Sequence, residues 1–121
     1  MLSTEDRLRF IYLEHLNRLG KPQGYFSFSS RINAVGTPPE IIVFYWKPNG
    51  PKPVTVFSTL GMSYYPMADG QYAEIHYAVR GILHDEQIME FCRFMASFAL
   101  YPFFHNFAVD WWHLVVNVGK V

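Results

Sequence analysis

Glu74 and His76 stand two residues apart in a run, 72–79, whose residue types read as a β-strand. Alternation along a strand puts both side chains on one face. A carboxylate beside an imidazole in a pocket could work as an acid–base pair. On a sheet surface the same two residues are a polar cross-strand neighbourhood. The second reading is adopted, because no G-x-S-x-G elbow, phosphate-cradling glycine loop or dinucleotide fingerprint accompanies the pair. The histidines invite a metal reading, but His76, His84, His105 and His113 fall in four different predicted elements, with no H-x-H or H-x-x-x-H spacing. Zinc sites are built from tighter pairs, so neither a metal nor a cofactor is expected. Cys92 lies in an apolar helical stripe beside Phe91 and Met95, the place of a small buried hydrophobe and not of a nucleophile.

The elements that would position these residues can be read in order. Residues 3–19 form a helix: Ser3 is placed to cap it, Glu5 and Asp6 favour its positive end, and Leu8, Ile11, Tyr12, Leu16 and Leu19 recur at helical spacing. Gly20 and Pro22 end it. Residues 24–30 alternate loosely as a strand. Residues 41–46 are a continuous apolar, β-branched and aromatic run, hence a central strand. Residues 48–53, with three prolines and an Asn-Gly pair, are a turn. Residues 54–60 form the next strand, and its short connection to 72–79 makes those two antiparallel neighbours. A second helix is capped by Asp85, carries Ile88, Phe91, Cys92, Met95, Phe98 and Ala99 inward, and stops near Tyr101 at Pro102. Residues 103–110 read as an aromatic loop and 111–118 as a last strand. The pattern is α+β: a mostly antiparallel sheet of about five strands with two helices packed on one face.

Length and charge narrow the class. The 121 residues make a single domain, with half of them hydrophobic and a formal net charge of zero. Ten basic residues scattered against ten acidic ones do not make the cationic surface that nucleic acid requires. No run reaches the roughly 18 apolar residues of a membrane span, and the polar first nine residues are no signal peptide, so the expected place is the cytoplasm. A near-neutral surface and an apolar strand at 115–118 with an unpaired edge point to a homo-oligomer.

Eleven Phe, eight Tyr and three Trp are a heavy aromatic load. Tyr64, Tyr65 and Met67 sit in a connection, and Trp111 and Trp112 follow the second helix. Such residues either serve an interface or fold back over the sheet ends to complete the core. Trp111 and Trp112 point to opposite faces if extended, one toward each role.

Three segments in order carry a family resemblance: Thr59-Leu60-Gly61-Met62-Ser63 with Pro66-Met67, then Ala73-Glu74-Ile75-His76-Tyr77-Ala78, then Phe98-Ala99-Leu100-Tyr101-Pro102-Phe103. Glu14-His15-Leu16 with Gly20, and Asp110-Trp111-Trp112-His113, extend it over nearly the whole chain. This ordered set resembles the Suppressor of fused (SUFU-like) domain family, bacterial type. The resemblance implies a single SUFU-like domain over 1–121 that lacks the family's C-terminal third. It implies a non-catalytic protein-binding domain, an immunity protein or antitoxin of the bacterial kind whose partner is a toxin. In that reading Gly61, Ser63 and Glu74 are structural motif residues; the surplus of apolar and aromatic residues outside the core elements makes Tyr64, Tyr65, Met67, Trp111 and Trp112 the candidates for partner contact. The alternative is a small hydrolase-type enzyme using Glu74 with His76 or His113.

Overall fold

The computed structural model describes residues 3–29, 36–51 and 53–105. Helix α1 spans Thr4–Leu19, strands β1, β2, β3 and β4 span Gly24–Ser29, Glu40–Trp46, Val54–Leu60 and His76–Arg80, and helix α2 spans Asp85–His105. The four strands form one antiparallel sheet in the order β1-β2-β3-β4. A single 3-10 turn, Met62–Tyr64, follows β3. The fifth expected strand, 111–118, lies outside the described residues, so the described sheet has four strands and not about five.

The helices do not share a face. Across the sheet Tyr45, Phe57 and Tyr77 are in register, and both Phe57 and Tyr77 meet Phe91 of α2 ring against ring. The opposite face carries Phe44, Ser58 and His76 in register. There α1 packs, with Tyr12 against Phe44 and His15 against Ser58. The arrangement is helix, sheet, helix. The cause is visible in β2, whose continuous apolar run is buried on both sides, as a strand covered twice must be.

The core lies between α2 and the sheet. Ile41, Val43, Phe57, Ile88, Cys92, Met95 and Ala99 are its centre. Each large apolar side chain fully removed from water there contributes roughly 1.5–3 kcal/mol. Burial pushes the Cys92 thiol up to about 12, so it is a packing group with no thiolate character near neutrality.

Three element ends differ from the sequence reading. Helix α2 begins at Asp85, so His84 is the cap residue; its amide donates to the Gln87 side chain (2.8 Å), half of a capping box. Asp85 instead pairs with Lys47 at 3.3 Å. The helix runs through Pro102 to His105. A proline removes one helical bond, and here its ring is fully buried, so packing holds the last turn in place. Strand β4 begins only at His76, because the Ile75 amide donates to the Thr59 side-chain oxygen (2.8 Å) in place of a backbone carbonyl.

Candidate functional site

The turn after β3 is held from both ends. Gly61 sits at φ +125°, and a Cβ there would fall 2.2 Å from the Glu40 carbonyl oxygen. Only glycine passes this point. The chain then curls so that successive amides converge, and the Glu74 carboxylate fills the concavity. Oε1 accepts from Thr59 Oγ1 (2.8 Å) and Met62 N (3.2 Å). Oε2 accepts from Gly61 N (3.0 Å), Ser63 N (2.9 Å) and the Ser63 hydroxyl. Such a cluster of amides is an anion cradle, and here the protein supplies its own anion. Burial raises the Glu74 pKa above the ordinary carboxylate value, against the downward pull of the Ser63, Thr59 and Gly61 hydrogen bonds.

Arg7 of α1 closes the other end of the turn. Its Nε donates to the Ser63 carbonyl (3.0 Å) and its guanidinium to the Tyr64 carbonyl (3.2 Å). The same guanidinium lies 3.9 Å from the centre of the Tyr72 ring. Amides go to the carboxylate and carbonyls to the guanidinium, so the turn, the segment before β4 and α1 are joined at one place.

A cleft of about 370 Å³ opens beside this junction, between α1 and residues 72–76, with Phe10, His15, Arg18, Tyr72, Glu74 and His76 on its walls. His15 is the one buried residue of α1. Its Nε2 lies 3.1 Å from the Thr59 carbonyl oxygen and 2.9 Å from Ser58 Oγ. Since a carbonyl can only accept, Nε2 carries the hydrogen. The His76 ring is 5.0 Å from that of His15, and desolvation, with His15 and Arg18 close by, lowers the His76 pKa.

Of the expected site residues, Glu74 and His76 do meet in one cleft. Both carboxylate oxygens are nevertheless turned into the cradle, each with protein donors. Tyr64 and Tyr65 are half-buried and pack edge to face on one another, centroids 4.8 Å apart. Met67 is a core residue, 7 % exposed. The turn closed by Met67 N to Gln71 O (2.9 Å) brings its side chain in under the sheet end, into the core and not onto the loop surface. Trp111, Trp112 and His113 lie outside the described residues. No group of three or more His, Cys, Asp or Glu that could hold a metal occurs among the described residues.

The exposed apolar side chains at the cleft are others: Phe10 (59 % exposed) on α1 and Tyr72 (48 %) across from it, with Leu13 (55 %) exposed elsewhere on α1. The helical stripe of α1 omitted Phe10 and Leu13, so their place off the core face was a sequence signal of exposure. Nothing in the sequence joined Arg7 or His15 to the turn some 44 to 57 residues away.

Among the described residues no helix is long and apolar enough to cross a membrane. A family model described as Suppressor of fused protein (SUFU) matches residues 37–120. No curated protein and no solved structure matches the chain.

Proposed function

The chain belongs to the Suppressor of fused family, and from that premise we propose that it is a non-catalytic, cytoplasmic protein-binding domain of the bacterial kind, an immunity protein or antitoxin that neutralises a cognate toxin. Family membership suggests a protein-interaction role. The observation that carries the reading is the exposed pair Phe10 and Tyr72, which line one cleft beside a turn held rigid at both ends. Large aromatic side chains on a fixed scaffold bind with little loss of side-chain freedom, and such residues dominate interface energetics. Phe10 and Tyr72 join Tyr64 and Tyr65 as the contact candidates in place of the buried Met67.

The test is protection of cells that express a toxin gene adjoining this one. Co-expression of the chain should restore growth, and Phe10→Ser with Tyr72→Ser should abolish the rescue while circular dichroism stays unchanged. An adjoining toxin against which the chain gives no protection, or the lack of any such gene, removes the immunity reading.

The hydrolase alternative draws on the shared cleft of Glu74 and His76. Against it stand the filled lone pairs of the carboxylate, which leave little of it for a substrate proton. A His76→Gln variant that folds normally yet loses a hydrolytic turnover shown by the unaltered protein would reverse the preference.

A further inference from the structure

The cleft beside α1 continues past Leu19 to Val56 as a recess of about 220 Å³, and His15, Arg18 and His76 line both hollows. Their polar capacity is one-sided. Arg18 is a permanent cation with five N–H donors. Only its Nε meets an acid, Glu14 Oε2 at 3.5 Å, and its two terminal nitrogens have no partner among the described residues. That Glu14–Arg18 pair is exposed and one turn apart on α1. Pairs of this kind are weak, so another carboxylate can take the guanidinium from Glu14 at little cost. A neutral His76 imidazole carries one N–H, and its ring has no hydrogen-bond partner among the described residues, its neighbour being the His15 ring at 5.0 Å. His15 is spoken for, with Nε2 held by the Thr59 carbonyl and the Ser58 hydroxyl, and serves as a fixed wall. No acid is among the described residues that line the recess. Glu74 borders only the wider cleft, with both oxygens turned into the cradle.

We propose that this recess is a carboxylate-binding site: the terminal nitrogens of Arg18 take an aspartate or glutamate side chain of a protein partner, His76 donates a further hydrogen bond to it, and a neighbouring apolar side chain of the partner lies between Phe10 and Tyr72. The inference rests on the protein-binding reading above and names the chemistry of the partner segment. A guanidinium presents a planar fork that matches a carboxylate with two parallel bonds. The contact needs no change of protonation, since Arg18 is always charged and a neutral imidazole already donates. The mouth of the cleft favours a peptide segment over a lone small anion. Phe10 and Tyr72 stand exposed on opposite walls, an apolar seat that a bare anion would leave unused. At about 370 Å³ the cleft lies at the small end of ligand sites, roughly 300–1,000 Å³, enough for one or two side chains.

NMR titration of the full chain with two short peptides, acetyl-Phe-Glu-amide and acetyl-Phe-Gln-amide, tests this near neutral pH in about 0.15 M salt. The acidic peptide should give saturating shifts at residues 10–19 and 72–76, and its neutral counterpart should bind roughly fivefold or more weakly. Arg18→Gln, at a side chain 78 % exposed and so expected to fold, should abolish that preference. Glu14→Gln frees the guanidinium and should tighten the acidic peptide by roughly two- to fivefold. Equal affinity for the two peptides, no saturating shift at 10–19 and 72–76, an unchanged preference in Arg18→Gln, or weaker binding in Glu14→Gln would each overturn the site. The cell-protection assay separates this outcome from that of the function. An Arg18-dependent preference for the acidic peptide in a chain that protects no cells upholds the recess and removes the immunity reading. Protection that needs Phe10 and Tyr72 but is indifferent to Arg18→Gln keeps the protein-binding reading and overturns the recess.

Discussion

Replacing Glu74 is the sharpest perturbation of the junction. Glu74→Ala removes the acceptor of five hydrogen bonds at once. Three of the donors are backbone amides, of Gly61, Met62 and Ser63, all in buried residues. An amide left without a partner costs about 1–3 kcal/mol, and the two hydroxyls can turn to other partners. Water entering from the cleft would satisfy part of the set, and the charge need no longer be buried. The net loss expected is about 3–5 kcal/mol. Glu74→Gln is milder. Its oxygen can serve the three donors at Oε2, whereas its amide group then faces the Met62 amide, donor against donor, at the longest contact of the five (3.2 Å). One orphaned amide and weaker neutral bonds amount to about 2–3 kcal/mol. Urea unfolding measures both, as a fall in the midpoint at constant slope. A loss below about 1 kcal/mol for Glu74→Ala would mean that the turn keeps its shape without the carboxylate, and the account of the cradle would be wrong.

Three further outcomes follow from particular residues. Gly61→Ala should cost at least about 3 kcal/mol by thermal or urea unfolding, because the added Cβ meets the Glu40 carbonyl oxygen and the φ of +125° is strained for an L-residue; a change under about 1 kcal/mol would refute the close approach. Thr55 is fully buried and its hydroxyl has no hydrogen-bond partner, so Thr55→Val should leave stability unchanged or raise it by about 1 kcal/mol, and a clear fall would reveal a partner for that oxygen. The pKa of Glu74 is raised in the folded state, so as pH climbs past the ordinary carboxylate value the unfolded chain loses its proton first. The native state is then disfavoured until Glu74 ionises too, and stability should fall across that window in the wild type but not in Glu74→Gln. A wild-type curve that rises there as steeply as that of the variant would show the donors outweighing burial.

How much of this was legible in the sequence differs from one residue to the next. The β3 end, its glycine and the carboxylate beside it were readable because turn and polar neighbour are close in the chain. The boundaries of α1 were readable from Ser3, whose Oγ accepts from the Asp6 amide (3.1 Å), and from Gly20 at φ +77°. The role of His15 was not. It lies outside the stripe of Leu8, Ile11, Tyr12, Leu16 and Leu19, and its partners are on β3, more than forty positions away. The burial of Met67 was hidden for the opposite reason: a methionine in a loop looks available, and only the closure of 67–71 shows that the loop packs it inward.

The layer arrangement shows why the one-face expectation failed and what it hid. A continuous apolar run such as 41–46 fits a strand covered on both sides, and the two helices were then better placed one per face. With α2 alone on one face, that side is filled by aliphatic and aromatic packing. With α1 on the other, the cover is thin and polar, and its few anchors are Arg7 to the turn, His15 to β3 and the Gly20 carbonyl to Trp46 Nε1 (3.0 Å). Directional anchors of this kind hold a helix in one orientation, but each is only one or two hydrogen bonds, whereas the α2 face depends on area. Loss of the Arg7 or His15 anchor should therefore release α1 with little effect on α2. The exposed Phe10 and Leu13 ride on the part of the molecule that its own polar anchors can let go.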